Sequence, residues 1–378
     1  MHFEQTLYYW NVPGQEDHTG FFENFRDKGF FNHFSDIKPV FIYTGLDKIP
    51  LEETGIDFSV LEEIDFYLYE PSTFYNINKE DKSCYFYHED VWEENTNLRS
   101  IELDCLSALQ KKHDIVIHVY TSDYNINKHF RHIYKNLNLA CFDTFVRQVG
   151  QQGIYPDDTP KKKKFVCTNK RFAMHRLLTS AYLQEKDSYY TWPFEMKVPL
   201  DSVAWYEHEK LPQIHEKYKS LKPNLIDVKE TLPISSLTHA GRAPDVDVEQ
   251  PADIITAMSE SCVAIVNETR YGQPTAYFSE KTFDAMRCRL PFVLVAPPYT
   301  LEYLRKFGFF TFATFWDESY DKIENHTKRM DAIFKTIDKI NEYTLDDLKE
   351  IIRLADWQLS RNRDAVNAFI GNQKILYD

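Results

Sequence analysis

The feature that most constrains the fold is the alternation of short apolar segments with amphipathic ones. Apolar and aromatic runs such as "KPVFIYTG" (38–45) predict strands. Runs such as "RSIELDCLSALQKKH" (99–113) carry apolar residues at helical spacing and predict helices. Strands that alternate with helices imply parallel pairing through right-handed crossovers. The sequence therefore predicts an α/β protein.

The predicted elements fall into two series. In the first, strands are predicted over 6–12, 38–45, 64–70, 114–123 and 140–149, and helices over 20–34, 99–113 and 127–137. In the second, strands are predicted over 165–169, 262–268 and 290–298, and helices over 171–185, 253–261, 279–288 and 300–309. Gly308 is expected near the C-cap of the last of these helices. About the last 60 residues are predicted to be mostly helical.

The segment "GQQGIYPDDTPKKKK" (150–164) separates the two series. Two Gly, two Pro and a charge run are typical of a linker between domains. Its four lysines are interpreted as the solvated end of that linker, with a phosphate or nucleic-acid patch as the alternative. A chain of 378 residues suits two domains of about 150–200 residues each. We therefore predict two Rossmann-like domains facing a cleft, with ligands beyond the C-terminal ends of the strands.

Composition narrows the class of protein. The chain has 44 basic and 58 acidic residues, a formal charge of −14, which argues against non-specific nucleic-acid binding but leaves room for a local basic groove. Six Cys without a C-x-x-C pair indicate free thiols in a reducing compartment. The N-terminus lacks the pattern of a signal peptide, and no apolar run approaches the ~18 residues of a membrane span. A cytoplasmic protein is expected.

The stretch "VNETRYGQPTAYFSEKTFDAM" (266–286) carries the first candidate site. A strand is expected to end near Asn267 and Glu268, and Ser279 is a good N-cap for the helix that follows the loop. Glu280 and Lys281 then occupy the first helical positions. The helix N-terminus and Lys281 suit a diphosphate, and Glu280 suits a ribose diol. Ordinary capping, with Lys281 in solvent, is the alternative that spacing alone leaves open.

A second candidate element lies at the first strand-to-helix junction of the second series. Basic and amide side chains cluster there, in Thr168, Asn169, Lys170 and Arg171, with His175 and Arg176 one turn on. Arg171 suits bidentate contact with phosphate oxygens. The alternative is a polar N-cap followed by solvated bases.

Two of these segments resemble a known family. "AIVNETRYGQPTAYFSEKTFDAMRCRLPFVLVAPP" (264–298) resembles the C-terminal domain of GT-B glycosyltransferases, especially the α1,3-fucosyltransferase type. "FVCTNKRFAMHRLL" (165–178) and 300–321 are similar to phage-type and bacterial transferases. The resemblance covers roughly 165–335. The chain departs from the fucosyltransferases in having Asn-Glu for Glu-Asn and Ser279 for Thr.

The resemblance implies a domain organisation and a donor site. It implies an acceptor domain (1–150), a linker (151–164), a nucleotide-sugar donor domain (165–350) and a C-terminal helix (351–378) that returns to the N-terminal domain. It places Glu280 on the donor ribose, and Lys281 and Arg171 on the diphosphate. The donor-binding candidates are therefore Asn169, Lys170, Arg171, Arg176, Asn267, Glu268, Ser279, Glu280 and Lys281.

Cofactor and base are the remaining chemical questions. A GT-B enzyme stabilises the leaving diphosphate, here of a UDP or GDP sugar, with basic side chains and helix termini, so no metal or tightly bound cofactor is expected. We interpret the D-x-D at 245–247 as chance, because it does not end an apolar strand. An inverting reaction needs a base from the first domain. The main candidates are Asp17, His18 and Asp123, with Glu16 and Glu70 also at strand ends.

The acceptor is open between two classes. The phage-type resemblance implies a 5-hydroxymethylated pyrimidine in DNA, and then a host cytoplasm as the location. A surface polysaccharide or other glycan suits the acidic charge equally well. A non-catalytic nucleotide-sugar or glycan-binding module is a further alternative.

Overall fold

The protein is described from a computed structural model. The structure describes residues 7–10, 40–43, 62–68, 74–76, 98–121, 126–141, 159–169, 174–191, 252–268, 271 and 278–371. The chain divides into two compact units. The first comprises 1–85, 93–144 and 373–378, and the second comprises 86–92 and 145–372.

The first unit contains a parallel sheet whose strands follow one another in chain order. Its described strands are β1 (Leu7–Trp10), β2 (Val40–Tyr43), β3 (Glu63–Leu68), β4 (Phe74–Asn76), β5 (Leu98–Ser100), β6 (Val116–Thr121) and β7 (Asn138–Cys141). The sheet order is β1-β2-β3-β6-β7, with every pair parallel, while β4 and β5 form a separate antiparallel ribbon. Its helices are α1 (Ile101–His113) and α2 (Ile126–Phe130).

Helix α1 shows how local sequence sets the elements of this unit. Ser100 is its N-cap and accepts a hydrogen bond from the Leu103 N–H at 3.3 Å. Asp114 ends the helix in the left-handed conformation, at φ 53°. Leu103 and Leu106 are fully buried, so the apolar face of α1 belongs to the core that also contains Ile117 and Val119 of β6.

The second unit contains a parallel sheet of four described strands. They are β8 (Lys163–Cys167), β9 (Ser188–Tyr190), β10 (Ser261–Asn267) and β11 (Phe292–Val295). Its helices are α3 (Met174–Leu183), α4 (Ala252–Ser259), α5 (Glu280–Arg287), α6 (Thr300–Lys306), α7 (His326–Glu342), α8 (Leu345–Leu354) and α9 (Asp356–Gly371). A 3-10 turn spans Ser319–Lys322. All residues of β10 are buried, as expected of an inner strand of a covered parallel sheet.

The order of the described strands in this sheet reverses between β8 and β10. The order is β11-β10-β8-β9, so the chain first moves from β8 to β9 and then continues on the other side of β8, through β10 to β11. Such a reversal opens a crevice beyond the C-terminal ends of the two strands where it occurs, and ligands of α/β sheets bind there. In this unit those strands are β8 and β10.

Most predicted elements are confirmed at their predicted places, which makes the α/β prediction correct. Gly308 has φ 86° just after α6, and the Gly308 and Phe309 N–H groups bond to the Arg305 and Leu304 carbonyls, both at 3.0 Å, as in a Schellman motif. The helix predicted over 127–137 is shorter, because α2 ends at Phe130 and turns follow. Three-residue strands β4, β5 and β9 were not predicted. The predicted helix 20–34 lies outside the described residues.

The lysine run overlaps the first strand of the second sheet, which begins two residues earlier than predicted. β8 begins at Lys163, inside the predicted linker. All four ammonium groups have protein partners: Lys161 with the Ser259 carbonyl (2.7 Å), Lys162 with Glu260 (2.5 Å), Lys163 with Asp187 (2.8 Å) and Lys164 with the Asn341 carbonyl (2.7 Å). Burial lowers the pKa of Lys161. The run therefore fastens the N-terminal edge of the second sheet, opposite the crevice, while the Lys162 and Lys163 side chains stay 58% and 36% exposed.

The described part of the C-terminal helix contacts the second unit. α9 packs against α5, and Asn362 bonds to both backbone groups of Phe310 at 2.7 and 2.9 Å. The Trp357 ring meets the Phe310 ring edge-on, with centroids 4.9 Å apart. The return of this helix to the N-terminal domain, like the cleft between the domains, stays a prediction. No helix in the described part of the chain is long and apolar enough to cross a membrane.

Candidate functional site

A buried polar cluster joins β8 and β10 at the strand reversal. Asn169 follows β8, Asn267 ends β10, and both side chains are at most 1% exposed. Each amide lies against the Cys167 sulfur, at 3.3 and 3.1 Å from the respective Nδ2 atoms. Burial raises the pKa of the Cys167 thiol to about 12, so the thiol is neutral near pH 7. The two amides therefore fix the ends of the strands that flank the crevice.

Asn169 also joins β8 to its neighbours. Its backbone N–H donates to the Thr191 hydroxyl at 2.6 Å, and that hydroxyl donates to the Asn169 carbonyl at 2.8 Å. Its Nδ2 donates to the Ser180 hydroxyl at 3.0 Å, which places α3 against the same strand end. Buried amides bonded in this way stabilise one arrangement of the crevice, because leaving any of them unpaired is costly.

Glu268 fastens the first turn of α5 to the end of β10. Its carboxylate is fully buried and accepts the Ser279 N–H through both oxygens, at 3.1 and 3.2 Å. The Thr282 hydroxyl forms a further, short hydrogen bond to it. In a capping box the residue at the third helical position reaches back to the N-cap N–H, and here Glu268 takes that bond. The Glu268 carboxylate thus has a structural task at the head of α5.

The N-terminus of α5 matches the prediction in its geometry. Ser279 is the N-cap and accepts from the Lys281 N–H, with Glu280 and Lys281 in the first turn. The Lys281 ammonium lies 3.0 Å from a Glu280 carboxylate oxygen and 3.2 Å from the Ser279 hydroxyl. The two side chains are only 16% and 22% exposed. Lys281 therefore does not extend into solvent, while the capping by Ser279 that the alternative expected is present.

One depression brings the two predicted elements together. Thr168, beyond the end of β8, and Lys281 of α5 line the same small depression. Asp284, one turn after Lys281, lines it as well. Strand and helix residues form its apolar wall: Val166, Met258, Ala264, Ile265 and Val266. Its free space is about that of one water molecule, so it marks where the two elements meet and is not itself a pocket of nucleotide size.

His175 and Arg176 are buried beside this edge of the sheet, each 2% exposed. The His175 Nε2 donates to the Glu268 carbonyl at 2.7 Å, and its ring stacks on Tyr271 with centroids 5.3 Å apart. Burial, and then the positive charge of Arg176, holds the pKa of His175 well below its ordinary value. The imidazole is therefore neutral and positions the backbone at the end of β10.

Arg329 is the residue that sequence reasoning missed. Its guanidinium, 1% exposed, donates to four carbonyls, those of Ala296 (3.1 Å), Ile323 (2.7 Å), Glu324 (2.8 Å) and Tyr271 (2.6 Å). It also lies 4.5 Å from the centre of the Tyr271 ring. Arg329 thereby joins the end of β11 to the segment after β10. The sequence signal that could have found it is helical spacing. Arg329 lies four residues before Ile333 and eight before Ile337 in α7, and both isoleucines are fully buried.

The described site candidates meet at one edge of the second sheet. These are Asn169, Arg176, Asn267, Glu268, Ser279, Glu280 and Lys281. The side chains of Asn169, Asn267 and Glu268 are buried and hydrogen-bonded within the protein, whereas those of Glu280 and Lys281 are partly exposed. Several candidates lie outside the described residues: Asp17, His18, Asp123, Lys170 and Arg171, as well as Glu16, Glu70 and the D-x-D at 245–247. A donor-binding or catalytic role for any of them stays a prediction.

Comparisons with known proteins found matches among solved structures, of which two follow. No protein-family model and no curated protein matches the chain. The chain is similar to a mutant of T4 phage BGT in complex with UDP-glucose, at 9% identity and a TM-score of 0.36, over 98% of this chain and 94% of that one. It is also similar to a DNA-modifying β-glucosyltransferase, at 8% identity and a TM-score of 0.34, over 98% and 93%. At these TM-scores the likeness does not establish a common fold.

Proposed function

We propose that the protein is a glycosyltransferase that moves a sugar from a nucleoside-diphosphate sugar to a hydroxyl acceptor. The observation that carries this proposal is the Glu280–Lys281 pair, held in the first turn of α5 beside the reversal between β8 and β10. An anion-binding group and a hydroxyl-binding group stand side by side where α/β sheets bind ligands. A nucleotide sugar presents a diphosphate next to a ribose diol, the complementary pair.

Donor binding exchanges one set of contacts for another. In the free protein Lys281 and Glu280 satisfy each other at 3.0 Å. The donor diphosphate takes over Lys281, and the two ribose hydroxyls donate to the Glu280 carboxylate. Arg171, expected from the sequence on the same diphosphate, adds a bidentate cation.

Catalysis then depends on the leaving group. As the bond between the anomeric carbon and the diphosphate oxygen breaks, negative charge grows on the diphosphate, and Lys281 stabilises it. The anomeric carbon forms its new bond to the acceptor oxygen, whose proton passes to a base. For an inverting reaction we propose Asp17, His18 or Asp123 as that base. A retaining reaction requires no such base.

For the acceptor we propose a 5-hydroxymethylated pyrimidine in DNA, in keeping with the phage-type sequence resemblance. Such a base has to leave the stack before its hydroxymethyl group is reached. Because the net charge of −14 repels DNA, we expect DNA to bind only along a local basic groove. A glycan acceptor is the competing proposal, supported by that same acidic charge.

The test is a matrix of donors and acceptors read by mass spectrometry. UDP and GDP sugars are each incubated with hydroxymethylcytosine DNA, with unmodified DNA of the same sequence, and with an oligosaccharide panel. A hexose or pentose mass added only to the hydroxymethylated DNA supports the proposal in full. Transfer only to an oligosaccharide moves the acceptor to the glycan class. If the donor binds but is neither transferred nor slowly hydrolysed, the protein is a binding module and the proposed enzymatic activity is overturned.

A further inference from the structure

The carboxylate of Glu268 is buried at the head of α5. Its oxygens contact the Ser279 N–H and the Thr282 hydroxyl, and no described residue places an ammonium or guanidinium within ion-pair distance. His175, which is neutral, bonds the Glu268 carbonyl. A buried carboxylate loses its hydration and has to be compensated by protein partners, which among the described residues are these hydrogen bonds at the head of α5.

The position of this carboxylate puts it close to any anion bound by α5. Its partners are the N-cap and the third residue of the helix, which are separated by less than one turn. An anion on the first-turn amides and Lys281 therefore lies within about one helical turn, roughly 5–6 Å, of the Glu268 oxygens. At that separation like charges repel appreciably even at an intermediate effective dielectric constant.

The donor and the diphosphate product of the proposed reaction differ in the charge of the terminal phosphate. In the sugar ester the terminal phosphate carries one negative charge. After transfer it is a free phosphate monoester that carries about −1.5 to −2 at pH 7. A fixed carboxylate nearby penalises the product more than the donor.

We infer that Glu268 is a positioning and specificity-determining residue that holds the first turn of α5 and disfavours the nucleoside-diphosphate product relative to the nucleotide-sugar donor. This inference rests on the proposed function. Glu268 supplies the alignment through its hydrogen bonds and the discrimination through its charge. The two contributions are separable by substitution.

The test compares two variants that remove different properties. Glu268→Gln keeps an oxygen for the Ser279 N–H and offers an amide to the Thr282 hydroxyl, but it removes the charge. Thr282→Val removes the hydroxyl bond and keeps the charge. Calorimetry at pH 8 gives the dissociation constants of UDP and UDP-glucose, and of GDP and GDP-mannose, for each protein.

The expected result is a change of ratio in one variant only. In Glu268→Gln the dissociation constant of the diphosphate, divided by that of its sugar ester, should fall roughly 10-fold. In Thr282→Val both constants should rise together, with their ratio within about twofold of the wild type. An unchanged ratio in a folded Glu268→Gln variant overturns the inference and leaves the proposed function in place. If the wild type binds none of the four nucleotides, both are overturned.

If the Glu268→Gln variant does not fold, a measurement on the wild type tests the inference instead. UDP and its β-methyl ester differ by one charge and one methyl group. We expect UDP to bind the wild type no more tightly than the ester. UDP binding more than about 10-fold more tightly shows that no carboxylate penalises the extra charge, and overturns the inference.

Discussion

The two parallel sheets of this protein differ in strand order, and the difference shows where a ligand fits. The described strands of the first sheet run β1-β2-β3-β6-β7, always in one direction along the chain. The second sheet runs β11-β10-β8-β9 and reverses between β8 and β10. Crossovers that leave two neighbouring strands in opposite directions open a crevice, and crossovers that follow one direction do not. Within the described strands, only the second sheet has this feature.

The side chains at the reversal agree with the strand order. Asn169, Asn267 and Glu268 are buried there and bonded to neighbouring strands and helices. The main candidate bases of the first unit follow β1 and β6, whose ends are separated by two strands, roughly 14 Å, and Glu70 follows β3, the neighbour of β6. The contrast is between polar residues bonded at two adjacent strand ends in the second unit and candidate bases that follow several strands in the first.

The largest effect on this contrast is expected from Arg329→Met. Methionine leaves the carbonyls bonded by the guanidinium without partners in a buried place, and each unpaired group costs about 1–3 kcal/mol. We expect the second unit to lose about 3–5 kcal/mol of its free energy of unfolding. Hydrogen exchange should show this in β10 and β11, while β3 and β6 keep their protection.

Arg353→Met is the matched control for this change. Arg353 is exposed and pairs with Glu350 within one helix, so its loss should leave the free energy of unfolding nearly unchanged. Equal loss of protection in β3 and β6 upon Arg329→Met would mean that the two sheets unfold together, and the contrast would not extend to stability.

Arg329 also shows why part of the site was beyond sequence reasoning. Two of its partners, Tyr271 and Ala296, lie 58 and 33 residues before it in the sequence, whereas Ile323 and Glu324 lie just before α7. No local pattern encodes four carbonyls that converge from separate segments. Local signals, by contrast, were sufficient for the N-cap at Ser279 and the left-handed Gly308.

Lys281→Ala tests the crevice as a donor site. Removing the ammonium withdraws a charge-assisted contact to the diphosphate, which is strongest as the leaving group gains charge. We expect donor turnover to fall more than ~100-fold, with the melting temperature within a few degrees of the wild type. Lys349→Ala, an exposed lysine on α8 that pairs with Asp346, is the control and should keep normal turnover. Near-normal turnover in Lys281→Ala contradicts the diphosphate assignment.

Glu280→Ala should have a smaller effect of a different kind. A contact to ribose hydroxyls is made equally in the ground and transition states, so its loss raises KM, by roughly 10-fold, and leaves kcat nearly unchanged. Steady-state kinetics with the donor varied measures both constants. A fall of kcat with KM unchanged would place Glu280 at the reacting centre instead of the ribose.

The sequence identified this pair but not the tasks of its neighbours. Glu268 and Asn267 follow one another at a strand end, and a strand end in an α/β sheet is where ligand contacts are expected. The structure instead bonds Glu268 to the Ser279 N–H, eleven residues on, and Asn267 to Cys167, a hundred residues back. Capping by a residue outside the helix depends on tertiary placement, which residue types and spacing do not contain.

The smallest effect is expected from Asn362→Ala, which asks whether the C-terminal helix belongs with the second sheet. Asn362 is fully buried and pairs with both backbone groups of Phe310. Phe310 is half-buried, so water replaces part of the lost bonding, and we expect a cost of about 1 kcal/mol. Asp364→Ala, at an exposed position of the same helix, controls for helix propensity. Loss of protection in α5 and β11 places the described part of α9 with the second sheet. If protection falls in β1 to β3 instead, the helix stabilises the first unit, as the glycosyltransferase resemblance implies, and the independence of the two sheets fails.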